Sequence, residues 1–173
     1  MARRPGAGEV IFTELMPNPD AIADTAGEFL EIKNLSKDAL DLGGCHLKDM
    51  GTNNDDYTIN VPSLLMLPDA VLVMAKSADP NQNGGIQAVA HAFAGGFALT
   101  NTGDEVVLEC DGIVIDTVVY TSTWPFTKGV SMQLRSSKLT AADNDAPMNW
   151  CAATANYAPT ELGTPGSTGS HCP

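Results

Sequence analysis

Two runs rich in β-branched residues, 106–110 and 113–120, flank the dipeptide Asp111-Gly112. Asp-Gly in that setting is the strongest short-range signal for a β-hairpin, because both central residues of a type I′ turn need positive φ. A two-residue loop also sets the register. It places Cys110 opposite Ile113, Leu108 opposite Ile115 and Val106 opposite Thr117. Leu108, Cys110, Ile113 and Ile115 are then expected on one face.

The rest of the chain repeats this theme of short apolar runs cut by turn residues. Strands are expected at 9–15, 28–34, 40–49, 57–61, 70–75 and 129–135. Met16-Pro17-Asn18-Pro19-Asp20 ends the first, since proline donates nothing to a ladder and restricts its predecessor. Gly43-Gly44 reads as a bulge inside the third, shifting the inward phase from Leu40 and Leu42 to Cys45 and Leu47. The segment 77–96 is long and irregular, with a helical turn expected at 86–93. Sustained helical periodicity, heptads and internal repeats are absent. Short strands at regular spacing point to an all-β sandwich or barrel. The domain is expected over 9–135, preceded by a disordered segment 1–8 and followed by a tail, 136–173, packed on it.

Composition narrows the function classes. The chain has 173 residues, enough for one domain with a real core. Its 16 glycines and 11 prolines suit many turns, and 43% hydrophobic content argues against global disorder. The formal charge of −12 repels nucleic-acid phosphates and anionic lipid, and could attract divalent cations. The one basic cluster, Arg3-Arg4, sits at the N-terminal end. No apolar run approaches the roughly 18 residues of a membrane span. Residues 1–8 lack the apolar segment of a signal peptide, which leaves a cytosolic protein or one whose leader has been removed.

The four cysteines, Cys45, Cys110, Cys151 and Cys172, contain no C-x-x-C pair, so a zinc ribbon or thioredoxin-like motif is not expected. They are either four buried thiols or two disulfides in an oxidising compartment. Three pairings exist on paper. Cys151 and Cys172 bracket the tail and pair naturally. Cys45 and Cys110 then remain, both expected to point inward and able to bridge facing sheets.

The order of motifs resembles bacterial lamin-tail domains. It runs Glu14-Leu-Met-Pro-Asn-Pro, Gly27-Glu-Phe-Leu-Glu-Ile-Lys-Asn34, Leu40-Asp-Leu-Gly-Gly, Leu67-Pro-Asp-Ala-Val-Leu-Val-Met-Ala-Lys76, Leu99-Thr-Asn-Thr-Gly-Asp-Glu-Val-Val-Leu108 and Val114-Ile-Asp-Thr-Val-Val-Tyr120. Gly129-Val-Ser-Met-Gln-Leu134, Asn149-Trp-Cys and Gly163-Thr-Pro-Gly166 complete it. The resemblance implies an immunoglobulin-like β-sandwich of two mostly antiparallel sheets and a binding or scaffolding role. It also marks a departure: Cys45 stands where the family usually carries tryptophan. A bridge from Cys45 to Cys110 would fill that volume and would resemble the inter-sheet link of immunoglobulin domains. Relatives in nuclear lamins bind DNA and partner proteins, and the charge here makes the DNA part a poor transfer.

Motifs for chemistry are sparse. His46, His91 and His171 stand apart, and neither His-Glu-x-x-His, a Gly-x-Ser-x-Gly elbow nor a phosphate-binding loop occurs. His46 is expected outward and solvated. Carboxylates cluster: Glu14, Asp20, Asp24, Glu28 and Glu31 surround one proline-rich loop, Asp143-Asn144-Asp145 forms a run, and Asn53, Asn54, Asp55 and Asp56 make a third group. Of these, Asp20, Asp24, Glu28, Asp143 and Asp145 are the candidate ligands for calcium, which takes oxygen donors. The alternative is a solvated acidic surface. Paired-carboxylate glycosidase chemistry would need two acids across a cleft. Trp124 and Phe126 either anchor a protein or sugar partner or cap the sandwich. The expectation is a non-enzymatic, immunoglobulin-like module of a secreted or surface protein, binding a protein or cell-envelope component. The runner-up is a calcium-binding or metal-dependent, hydrolase-associated domain.

Overall fold

The structure is a computed structural model describing residues 2–50, 55–167 and 172. In chain order its strands are β1 (Val10–Met16), β2 (Phe29–Asn34), β3 (Leu40–Asp41), β4 (His46–Lys48), β5 (Asp56–Thr58), β6 (Leu65–Met66), β7 (Val71–Ala75), β8 (Val89–Ala92), β9 (Gly103–Cys110), β10 (Ile113–Thr121), β11 (Met132–Leu134), β12 (Trp150–Ala152), β13 (Asn156–Ala158) and β14 (Glu161–Leu162). One sheet has the order β12-β11-β1-β2-β7-β8, the other β10-β9-β4-β5. Every pairing in them is antiparallel except β7 with β8. Phe12, Leu15, Leu30, Ile32, Met74 and Met132 of the first sheet join Leu47, Val106, Leu108, Val118 and Tyr120 of the second in one buried cluster. This is an all-β, immunoglobulin-like sandwich. Burying that apolar surface is what holds two sheets together.

The first sheet is buried on its outer face as well. Met16, Phe29, Val73, Ala75 and Ile86 form a second cluster, with Val89 and Tyr157 packed against it. Strand β2 is therefore buried on both sides: Leu30 and Ile32 point to one core, while Phe29 points to the other and Glu31 is buried with it on the outer face.

The hairpin turn is as expected, with Asp111 at φ 51° and Gly112 at φ 79°, and Ile113 opposite Cys110. Beyond it the register differs. A bulge between Val114 and Asp116 sets Asp116 opposite Leu108 and Val118 opposite Val106. It lets Ile115 and Asp116 both be buried, with Ile115 O accepting from Gly8 N at 2.7 Å and Asp116 Oδ2 from Phe12 N at 2.8 Å. Ile113, next to the turn, is 52% exposed and leaves the shared face.

Both disulfides form, Cys45–Cys110 and Cys151–Cys172. The first, however, does not link facing sheets. Strand β4 pairs with β9 with His46 opposite Glu109, which puts Cys45 beside Cys110 on neighbouring strands, their Cα atoms 4.4 Å apart. That spacing is that of a non-hydrogen-bonded antiparallel pair. The expected third strand is divided at Gly43-Gly44: β3 pairs with β6 in a separate two-stranded sheet, and β4 joins the four-stranded one. Gly44 has φ 78°, and a Cβ on Gly43 would lie 2.7 Å from Val61 O.

Three further segments depart from expectation. Instead of a helical turn at 86–93, Val89–Ala92 pairs in parallel with β7, and the one helical turn nearby is a 3-10 turn at Ala94–Gly96. Buried Asn83 shapes the returning loop, donating to Ser77 O and Ile86 O while its Oδ1 accepts from Gly85 N and Ile86 N. Residues 136–167 are not a plain tail: β12 extends the first sheet beside β11, and β13–β14 form a ribbon. At the start, expected to be disordered, Arg3 bridges to Leu40 and its side chain pairs with Glu9 and Asp38 at 2.6 and 2.8 Å.

Asp116 yields a pH prediction. It is 3% exposed, accepts from Phe12 N and Asn144 Nδ2, and keeps Oδ1 without a partner. Burial pushes its pKa up to about 7 from 3.8. A carboxyl with a higher pKa in the fold binds its proton more tightly when folded. Its contribution is complete below the unfolded value and is lost as pH rises to the folded one. The melting temperature is expected to fall between pH 4 and pH 7, the window set by those two pKa values. Asp116→Asn is expected to flatten part of that slope. Parallel curves for the two proteins by differential scanning calorimetry would contradict it.

Candidate functional site

The sequence-predicted acidic residues are dispersed. Asp20 pairs with Lys128 Nζ at 2.7 Å, and Asp24 Oδ2 accepts from Asn101 Nδ2 at 3.0 Å. Glu28 is buried, accepts from Leu99 N at 2.9 Å, and faces Lys76 at 3.6 Å; burial raises its pKa to about 7. Asp143 caps the 140–145 turn through Thr140, and Asp145 lines an open hollow beside Asp116. Among the described residues no three or more His, Cys, Asp or Glu side chains gather as a metal site. Asp56 bonds His46 Nδ1 at 2.6 Å, and Asp55 accepts from Ala98 N. Asn53, Asn54 and His171 lie outside the described residues. His91, expected in a loop, is on β8 with Nε2 2.8 Å from Tyr57 Oη.

Trp124 and Phe126 are each only 7% exposed. Trp124 packs on Trp150 at 5.9 Å, and Phe126 meets Tyr120 edge-on at 5.4 Å. They cap the core and present no ring to a partner, which corrects their candidacy as anchors.

The structure instead assembles a polar row on the outer face of the first sheet. A bulge at Thr13 brings Glu14 of β1 directly opposite Glu31 of β2 on one side and Gln133 of β11 on the other. Opposed side chains in an antiparallel pair start about 5 Å apart. All three are buried, at 1%, 4% and 2% exposure. The chain after β14 covers them. Glu14 accepts from Ser131 Oγ at 2.6 Å, Thr164 N at 2.9 Å and Thr164 Oγ1 at 3.0 Å. Glu31 accepts from Thr13 Oγ1 at 2.7 Å and Gly166 N at 2.9 Å. Gln133 Nε2 donates to Thr164 Oγ1, while its Oε1 has no partner. Gly163 lets the strap approach, since a Cβ there would lie 2.8 Å from Glu14 Oε1. Nearby, the Glu161 carboxylate accepts from the backbone N–H groups of Asp20, Ala21 and Ile22, fixing the proline-rich loop to the same strap.

Electrostatically the row is unusual. Burial raises the pKa of both glutamates, Glu31 to about 8, and the neighbouring Glu14 charge adds to the effect on Glu31. The half-open cavity beside them, lined also by Thr13, Lys33, Thr164 and Ser167, measures about 30 Å³. That is room for about one water or ion, not for a sugar between two acids. The sequence offered both glutamates as members of an acidic group, yet nothing local marked Gln133 or Thr164 as their neighbours.

A comparison with known families matches residues 3–122 to the Lamin Tail Domain. The chain belongs to that family. No curated protein matches it. The family match ends at β10, so β11, β12 and the strap complete this lamin tail domain from beyond the matched region. Among the described residues no helix of the lamin tail domain is long and apolar enough to cross a membrane.

Proposed function

We propose that this lamin tail domain is a non-catalytic binding or scaffolding module of a secreted or cell-surface protein, engaging a protein or cell-envelope component. The observation that carries the reading is the pair of disulfides on the lamin-tail sandwich, which suits an oxidising compartment. The partner surface is the edge strand β10, where Ile113, Val114 and Val119 are each close to half exposed. An edge strand with outward apolar side chains is suited to pairing with another chain. The charge of −12 disfavours nucleic acid and anionic lipid as that partner.

The test has two arms. Protein purified from its native source is weighed intact before and after reduction, and four free thiols would remove the secretion reading. A photocrosslinker at Val119 is then compared with one at Met148, which is exposed outside β10. Discrete adducts from Val119 alone are expected on intact cells. Equal labelling from both positions, or none from Val119, would overturn β10 as the partner edge.

A further inference from the structure

On the reading of β10 as the partner edge, we propose that it takes an extended partner segment bearing lysine or arginine, with one basic side chain seated in the hollow beside the strand. Strand β10 has a neighbouring strand on one side only, β9. Among the described residues no backbone group outside β9 hydrogen-bonds to it between Thr117 and Tyr120. That length is open to a further strand. At Ile115 the edge changes. Gly8 N donates to Ile115 O, and an open hollow lies between the N-terminal segment, the strand and the 140–145 turn. It measures about 300 Å³, with Ala7, Val114, Ala141 and Ala142 among its walls and one exposed carboxylate, that of Asp145. Small apolar walls with an acid at the rim fit a long aliphatic stem that ends in a cation.

Charge selects the occupant. The hairpin 103–121 holds five acids, Asp104, Glu105, Glu109, Asp111 and Asp116, and no lysine, arginine or histidine. Glu109 pairs with Lys48, Asp111 pairs with Arg4 at 3.3 Å, and Asp116 is buried. Among the described residues Asp104, Glu105 and Asp145 form no ion pair. The register sets Asp104 opposite Tyr120 and Glu105 opposite Val119, at one end of the open length, while Asp145 stands in the hollow at the other. At the opposite edge of the same sheet, by contrast, Asp56 of β5 is paired with His46. Unpaired negative charge along an open edge favours a basic segment, and strand addition supplies the backbone bonds. The same charges disfavour a second copy, whose β10 would bring its own unpaired acids to the contact.

Fluorescence anisotropy of the full chain with a labelled peptide of alternating lysine and valine tests it, beside a peptide of alternating glutamate and valine. The lysine peptide is expected to bind, and its affinity to fall several-fold as sodium chloride rises from about 0.05 M to about 0.3 M. Asp145→Lys and Glu105→Lys should each weaken binding about fivefold or more, since each turns an attraction into a repulsion. Asp79→Lys makes the same change of net charge in the exposed loop between β7 and β8, and should stay within about twofold of the wild type. Should Glu105→Lys not fold, Asp145→Lys, on an exposed turn, decides the matter. No binding of the lysine peptide, equal binding of the glutamate peptide, or equal losses from Asp79→Lys and Asp145→Lys would each overturn the proposal. So would self-association of the chain that Val119→Lys abolishes, which would assign the edge to a second copy. If Val119 still gives adducts on intact cells, these failures remove only the basic partner; without such adducts β10 itself falls as the partner edge.

Discussion

Replacing Cys45 and Cys110 together by alanine is expected to lower the free energy of unfolding by about 4 kcal/mol. The bridge closes a loop of 65 residues, and on loop-closure entropy a span of that size restricts the unfolded chain by about that amount. The pair also pins two neighbours of one sheet. It lies beside the match of His46 with Glu109 and immediately before the turn at Asp111-Gly112. Both cysteines are buried, so the alanine variant adds a small packing loss. Urea unfolding of the oxidised wild type and the double variant, with the slope checked for constancy, measures the difference. A loss under about 1 kcal/mol would mean that the unfolded chain is already restrained without the bridge.

Trp150→Ala is expected to cost about 3–5 kcal/mol, the range for truncating a buried aromatic. Trp150 is 2% exposed, packs on Trp124 and donates Nε1–H to Asn144 O at 2.8 Å. It opens β12, the edge strand beside β11, and Cys151 beside it ties the strand to Cys172. Its removal should therefore loosen the segment from 147 onward as well as the core. Limited proteolysis should show new cleavage after about residue 150, alongside the shifted denaturation midpoint. A variant as stable and as resistant as the wild type would show that the segment beyond the family match merely rests on the surface.

Much of the architecture was legible because it depends on local chemistry. Asp111-Gly112 specifies its turn through positive φ at both positions, and Pro17 with the following Asn18-Pro19 bounds β1. The cysteine pairing followed from which residues bracket the tail. Features set by distant neighbours were not legible. The bulge at Ile115 exists because Gly8 and Phe12 supply donors to β10, and no pattern within 113–121 announces it. Val89–Ala92 is too short to show a period, and its strand state comes from pairing with β7. The candidate site was hidden for the same reason. Glu14 and Glu31 read as surface acids, since the strap that buries them lies far along the chain and is polar or small in composition.

Strand β1 sits in the middle of the six-stranded sheet, yet one of its two neighbours, β11, is made only near the end of the chain. Ser131 Oγ reaches Glu14 across 117 positions. During synthesis the N-terminal half therefore emerges with an open edge and waits for its last partner. The lag leaves a window in which an assisting factor, or another copy of the same nascent chain, can occupy that edge.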